Sequence, residues 1–454
     1  MFAHWLTKNW YYHRSLKTFY RRFVEPDARV LQVDCRNGYL LDTVKAAHGV
    51  GLDEHEPYIK EARETYPQYQ FHVSSIFEFK SDETFDYIIL SSVMMEMYDI
   101  QHLFDTLRKF CTPRTRIVID SYSALWEPVL WLTQKLRLRR ATEFRHWVSQ
   151  DDIVNLLHLS DYEVVVSGRF MLLPIFIPLL STLFNRLIAH IPGINRLCLN
   201  QYIVARLVAA PEKSDSYSVS VIVPCKNEQG NIRNAIVRTP HMGKSTEIIF
   251  VEGGSTDGTY DEIQRVMQEF PDKNISCYKQ EGTHKIGAVH TGFKHASGDV
   301  LMILDGDLTV PPEELPKFLQ ALADRKGELI NGSRLVYGME PGAMRFVALI
   351  ANWIFSNLVS FVLRQDVKDT LCGTKVLLRD DYKRIRHRAT IFGQIDPFGD
   401  FELLFGASKL NLVIRDLPVH YKSRQYGKSQ ISHVMGGLML GYMVMHGFWH
   451  LRSH

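Results

Sequence analysis

Short apolar runs alternate with helix-like stretches along the whole chain. In the first half, Arg29–Val33 and Val50–Asp53 read as strands, and Phe85–Leu90 and Arg116–Asp120 as buried ones. Leu40–Ala47 and Glu56–Tyr66 carry helical periodicity between them, and Tyr202–Val208 supplies a further strand. The second half repeats the alternation from Val219–Val223 through Glu247–Val251 to Val300–Leu304. Such alternation predicts doubly wound sheets. Between the halves, Ala210-Pro211-Glu212-Lys213-Ser214-Asp215-Ser216 is polar and holds a helix breaker. The prediction is two tandem α/β domains, residues 1–209 and 217–430, with a linker at 210–216 and an apolar, basic segment at 431–454.

Three stretches are apolar enough to raise the question of a membrane. Phe170–Asn185 carries no charge, but Pro174 and Pro178 would break a spanning helix. Phe346–Leu363 is also uncharged, yet Asn352, Ser356 and Ser360 recur every four residues as a polar stripe. That pattern suits a helix lying at an interface better than one crossing a bilayer. Val434–Trp449 is interrupted by Gly436, Gly437, Gly441, His446 and Gly447, and it too is expected to pack on the core or lie at an interface.

Composition narrows the classes further. The 454 residues include 53 Lys and Arg against 50 Asp and Glu, a formal charge of only +3. A polyanion binder normally shows a stronger basic excess, so nucleic acid is not an expected partner. With 46% apolar and 23% charged residues the chain reads as folded and globular. Six scattered cysteines, none in a C-x-x-C pair, predict buried reduced thiols and a reducing compartment. Met1–Arg22 lacks the apolar core of a signal peptide. The expectation is a cytoplasmic protein, peripheral on the inner face of a membrane.

The chemistry concentrates in the second half. Val300–Leu304 ends in Asp305-Gly306-Asp307. Two carboxylates one residue apart at a strand's carboxyl end reach the crevice where α/β sheets bind ligands, and Gly306 permits close approach. Their hard oxygens suit Mg²⁺ or Mn²⁺, which bridge to a diphosphate. Upstream stand Pro224-Cys225-Lys226-Asn227-Glu228, Glu252-Gly253-Gly254-Ser255-Thr256-Asp257-Gly258-Thr259, Lys285-Ile286-Gly287-Ala288 and Ala296-Ser297-Gly298-Asp299. This ordered series resembles the family 2 glycosyltransferases of GT-A fold, with their P-x-x-N-E, D-G-S-x-D-G-T, K-G-x-A, A-x-G-D and D-x-D patterns. Of the two acids usual before G-S-T-D-G-T, only Glu252 is present.

The resemblance continues toward the polyprenyl-phosphate sugar transferases. Asn331-Gly332-Ser333-Arg334 and Asp369-Thr370-Leu371-Cys372-Gly373-Thr374-Lys375 look like their phosphate-contacting turns, with Lys375 where arginine is common. Lysine is a point charge and arginine a fork, so bidentate contact is not expected there. Phe398-Gly399-Asp400-Phe401-Glu402 resembles the acidic acceptor-site motif, and Tyr421–Ser429 the basic loop over the donor diphosphate. The resemblance implies a nucleotide-sugar donor held by Pro224, Lys226, Glu228, Glu252, Lys285, Asp305, Arg334, Lys375, Arg424 and Lys428. It implies a metal on Asp305 and Asp307, with Asp307 and Asp400 catalytic and Asp400 serving as base or orienting the acceptor. The implied reaction is a single inverting displacement onto a lipid phosphate or a glycan, in which metal and cations neutralise the leaving diphosphate.

The first half resembles the class I S-adenosylmethionine-dependent methyltransferases over residues 25–208. Their E-x-G-x-G-x-G pattern falls on Gln32, Asp34, Arg36 and Gly38, and Asp53 stands where a ribose-binding acid belongs. The family's glycines let the backbone pass close to the cofactor, and the side chains of Asp34 and Arg36 would crowd it. A structural or regulatory domain is therefore the expectation. For the whole chain, the alternatives to a glycosyltransferase behind such a domain are a bifunctional enzyme that also methylates, or a non-catalytic nucleotide-sugar-binding scaffold.

Overall fold

The computed structural model describes residues 2–138, 146–338, 346–392, 396–397, 399–426 and 433–452. The chain divides into two compact units, Met1–Ala209 with Arg452–His454, and Ala210–Leu451. In the first, β1 (Arg29–Val33), β2 (His48–Asp53), β3 (Gln70–Val73), β4 (Phe85–Ser91), β5 (Cys111–Tyr122), β6 (Tyr162–Phe170) and β7 (Asn200–Leu207) form one sheet ordered β3-β2-β1-β4-β5-β7-β6. Strands β1 to β5 are parallel, and β7 inserts antiparallel to both of its neighbours. Strand order reverses between β1 and β4, so the loops after these strands part at a switch point, where such sheets open a ligand crevice. Helices Phe2–Lys8 and Trp10–Phe23 precede the sheet and have no counterpart among the expected elements. Leu16, Phe19, Tyr20 and Phe23, one stripe of the second helix, are buried in the same core as Val30 and Tyr87.

The second unit repeats the plan. Strands β8 (Ser218–Cys225), β9 (Ser245–Glu252), β10 (Asn274–Lys279), β11 (Val300–Ile303), β12 (Leu329–Ser333), β13 (Lys375–Leu378) and β14 (Ile414–Pro418) are ordered β10-β9-β8-β11-β13-β12-β14. Its switch point lies between the parallel strands β8 and β11. Along β8, Val219, Val221 and Val223 join one core cluster with Phe250, while Ile222 joins another with Val289 and Phe405. Covered on both faces, the strand is apolar from Val219 to Val223 except at the buried Ser220. Both domains are thus α/β, as the alternation predicts.

The helix Phe346–Leu363 forms where expected, but its polar stripe faces the opposite way from an ordinary surface helix. Asn352 and Ser356 are 3% and 6% exposed, whereas Trp353 is 66% and Ile350 46% exposed. Asn352 Nδ2 donates to Asp369 Oδ1 at 3.1 Å, and Ser360 Oγ bonds both Val367 O and Val367 N at 3.1 and 2.9 Å. Asn352 Nδ2 and Ser360 thus bond the loop that follows the helix, Ser356 Oγ bonds Trp353 O within it, and the apolar side is left outside. Helix His433–Arg452 also shows an apolar stripe, with Leu438, Tyr442, Met445 and Trp449 exposed and Leu440 and Met443 buried. No described helix is long and apolar enough to cross a membrane. In the 170s, β6 ends at Phe170 and the next helix runs only from Leu180 to Arg186. All six cysteines are free, four of them buried.

Candidate active site

The carboxyl ends of β8, β9 and β11 bring their loops together. Gly253 N donates to Cys225 O at 3.0 Å, Thr256 N to Asn227 Oδ1 at 2.8 Å, and Glu228 N to Thr259 Oγ1 at 2.9 Å. Glu252 is buried, and its carboxylate accepts from Ser255 N, so it shapes the turn after β9. A Cβ on Gly306 would sit 2.8 Å from Pro224 O, which explains why glycine separates the two aspartates. Lys226 lies exposed at the end of β8.

Each aspartate of Asp305-Gly306-Asp307 meets its own cation. Lys285 Nζ stands 2.6 Å from Asp305 Oδ1. Burial raises the Asp305 carboxyl, but the Lys285 ammonium, with Lys375 and Arg334 behind it, holds it below the usual range. Burial in turn lowers Lys285, and Asp305 and Asp400 overcome that and raise it. Gly373 covers this pair so closely that a Cβ there would lie 2.1 Å from Asp305 Oδ2 and 2.4 Å from Lys285 Nζ. Asp307 Oδ1 accepts from Thr309 N and Oγ1 at 3.1 and 2.9 Å, and Asp307 Oδ2 accepts from Arg424 Nη2 at 2.6 Å. Arg424 Nη1 also donates to Glu228 Oε1 at 3.2 Å. Burial pushes the Glu228 carboxyl up to about 7, against the pull of its Asn231 hydrogen bond and Arg424.

Two expected phosphate contacts lie elsewhere. Lys375 is fully buried; its Nζ donates to Cys372 O at 2.6 Å and to Asp400 Oδ1 at 3.0 Å. Its ammonium is thus engaged inside the domain, by Asp400 and the Cys372 carbonyl. The cause is its position on β13, whose burial pattern places Lys375 inside. Arg334 grips Asp369 with a fork, Nε to Oδ2 at 2.7 Å and Nη2 to Oδ1 at 2.8 Å, and stacks 5.0 Å from the Tyr421 ring centroid. Asp400 is 3% exposed and opens the helix Asp400–Lys409. Lys428 and Phe398 lie outside the described residues.

Residues 220–386 match the model described as "Glycosyl transferase family 2". The second domain is a family 2 glycosyltransferase domain. Residues 25–158 match a methyltransferase domain model. Dolichol-phosphate mannosyltransferase of Pyrococcus furiosus is 29% identical over 220 residues, which are 47% of this chain and 59% of that relative. Undecaprenyl-phosphate 4-deoxy-4-formamido-L-arabinose transferase of Salmonella paratyphi B is 28% identical over 234 residues, 49% of this chain and 64% of the relative. The chain thus spans about three-fifths of the length of these curated relatives. Glucosyl-3-phosphoglycerate synthase from Mycobacterium tuberculosis, solved with Mn²⁺, UDP and phosphoglyceric acid, superposes with a TM-score of 0.38 at 17% identity, covering 51% of this chain and 77% of that one.

Within this glycosyltransferase domain, the residues that the sequence left without a role are partners of the expected ones. Asp257 accepts from Gln229 N and from Tyr426 OH, both at 3.2 Å, tying the basic loop to the β9 turn. Asp369 holds Arg334, and Asp396 accepts from Gly399 N and Glu402 N at 3.0 and 2.9 Å ahead of the Asp400 helix. Asp257, Asp369 and Tyr426 lie inside the quoted motifs, where an acidic or hydroxyl side chain was the available signal. A divalent ion fits the Asp305–Asp307 pair. Asp307 Oδ2 is held by Arg424 and Asp305 Oδ1 by Lys285, and no group of three or more His, Cys, Asp or Glu that could hold a metal ion occurs among the described residues. These two carboxylates would supply only part of a divalent ion's oxygen ligands, and phosphate and water oxygens would supply the rest, as suits Mg²⁺.

The first domain does not fit its implied cofactor. Asp34 and Arg36 adopt φ of 51° and 52°, and Gly38 adopts 74°. The glycine backbone persists with side chains on it, at roughly 1–2 kcal/mol for each non-glycine residue. Arg36 extends to Glu96 at 3.5 Å. Asp53 is spent on backbone amides, Oδ2 accepting from Arg36 N and Oδ1 from His55 N, both at 2.8 Å. A Cβ on Gly38 would strike the Phe71 ring at 2.5 Å, so packing alone demands that glycine. Gln32 is buried within β1.

Proposed function

We propose that the second domain is a metal-dependent, inverting transferase that moves a sugar from a nucleoside-diphosphate donor to a polyprenyl phosphate. The observation that carries the reading is the alternating array Glu228–Arg424–Asp307 and Asp305–Lys285 at the sheet's carboxyl edge. Its cations sit on carboxylates that a metal-bound diphosphate would compete with. On donor entry Arg424 exchanges Asp307 for a phosphate oxygen, while Lys285 stays beside the leaving group. Asp307, with Asp305, would hold Mg²⁺ or Mn²⁺, whose charge stabilises the departing diphosphate. The acceptor phosphate oxygen then attacks the anomeric carbon from the face opposite the leaving nucleoside diphosphate. The glycosidic C–O bond breaks, and its electron pair leaves with the nucleoside diphosphate.

The acceptor assignment is supported by the relatives' names and by the two helices that turn apolar stripes outward. A phosphate monoester is already largely ionised at neutral pH and needs no base. Asp400 can therefore remain paired with Lys375 and serve to order the site. On this reading the protein is peripheral to a membrane's cytoplasmic face, and the first domain holds no S-adenosylmethionine. The test is nucleoside diphosphate release from a panel of UDP- and GDP-sugars with Mn²⁺ and undecaprenyl phosphate. Acceptor-dependent release with a panel donor is expected. Transfer only to water-soluble hydroxyl acceptors would overturn the assignment.

A further inference from the structure

We propose that the first domain carries a membrane-docking face of its own, built from residues 125–138 and 172–197 with the start of the chain, and that it takes an anionic bilayer surface. Nearly half of the exposed large apolar side chains among the described residues lie in these segments, including Leu179 at 87%, Leu125 at 59%, and Trp131 and Ile175 at 58%. The segments touch. Trp126 Nε1 donates to Leu197 O at 2.9 Å, Asn185 Nδ2 to Tyr11 OH at 3.0 Å and Lys8 Nζ to Arg137 O at 2.9 Å, and the Trp10 ring lies 5.2 Å from that of Phe176. Apolar side chains so gathered on one exposed surface mark an interaction site.

Charge selects the occupant. Residues 170–199 contain no Asp or Glu, and their Arg186 and Arg196 are exposed. Residues 124–138 hold Glu127 as their lone acid against exposed Lys135 and Arg137, and Lys8 is exposed nearby. Basic side chains around an apolar face, with tryptophan among them, match the headgroup region of an anionic leaflet. Pro174, Pro178 and Pro192 break the 170–199 run into short pieces, so the face lies on a bilayer and does not thread it. None of these residues belongs to the transfer site, and the docking does not rest on the proposed reaction.

Flotation of the whole chain tests it without donor or acceptor. Wild-type protein is expected to float with phosphatidylcholine–phosphatidylglycerol vesicles and more weakly with phosphatidylcholine alone. The double variant Trp131→Glu/Leu179→Glu should lower the vesicle-bound fraction about tenfold, since it adds two anions to the apolar face. Arg186→Glu/Arg196→Glu should remove the preference for anionic lipid. These positions are exposed, and an unchanged thermal melt would verify folding; Leu179→Ser alone, with a smaller loss, serves where the double variant melts early. Trp353→Glu in the second domain is the companion. Three results would each overturn the proposal: wild type that stays unbound, a first-domain variant that floats as wild type does while Trp353→Glu alone abolishes binding, or light scattering in which Trp131→Glu/Leu179→Glu dissolves a dimer and leaves flotation unchanged.

Discussion

The two sheets open the same crevice and fill it in opposite ways. At the edge of the second sheet, Asp307 is neutralised by Arg424, which comes from a loop 117 residues away. At the edge of the first, Asp53 is neutralised by the backbone amides of Arg36 and His55 next to it. An arginine on a distant loop is a partner that a diphosphate can take over. A backbone amide locked in its own turn is not. The same contrast holds for the glycines: Gly306 and Gly373 let backbone pass close to Pro224 O and to the Asp305–Lys285 pair, whereas Asp34 and Arg36 keep a glycine-like backbone and carry side chains on it. A shared fold thus says where a ligand would bind, and the exchangeability of each polar partner says whether one does.

The sharpest way to break that comparison is Asp307→Ala. It should cost at least about 1000-fold in turnover, because on the proposed reaction it removes a carboxylate that would hold the metal. Product release and the Mn²⁺ dependence of nucleotide binding would show it. Next is Lys375→Met, which leaves Asp400 buried and unpaired. It should destabilise the second domain by about 3–5 kcal/mol in urea unfolding, and adding Asp400→Leu should restore most of that. Asp400→Asn should stay within about tenfold of wild type with a lipid phosphate, which brings its own charge, and fall much further with a sugar hydroxyl.

The smallest effect concerns pH. Burial raises the Asp34 and Glu228 carboxyls from 3.8 and 4.5 to about 7. The folded protein therefore binds more protons than the unfolded chain between those values, and stability declines as pH rises toward 7. Asp34→Asn and Glu228→Gln should each flatten this slope in urea midpoints measured across the range, and an unchanged slope would deny the shift.

The candidate site stands out in the sequence where its residues lie at strand ends. Pro224, Glu228, Asp305, Asp307 and Arg424 each follow an apolar run or lie in a basic loop with a recognisable order. What the sequence hid are pairings between distant residues. Asn352, Ser356 and Ser360 announce a two-faced helix, but which face turns inward depends on Asp369, 17 residues beyond Asn352. Lys375 reads as a phosphate ligand from its motif, yet the inward side of β13 and Asp400, 25 residues on, claim it. The helix Trp10–Phe23 was missed although Leu16, Phe19, Tyr20 and Phe23 carry the 3.6-residue period, because aromatic and charged neighbours mask its apolar stripe.

Asp307 keeps a partner that a diphosphate can displace, whereas Asp53 is held by the backbone of its own turn. Isothermal titration of the whole chain with UDP and GDP, each with and without Mn²⁺, and separately with S-adenosylmethionine, tests both halves at once. The account predicts binding of a nucleoside diphosphate that depends on Mn²⁺, and no heat from S-adenosylmethionine in the micromolar range. Micromolar affinity for S-adenosylmethionine, or indifference to both nucleotides, would contradict it.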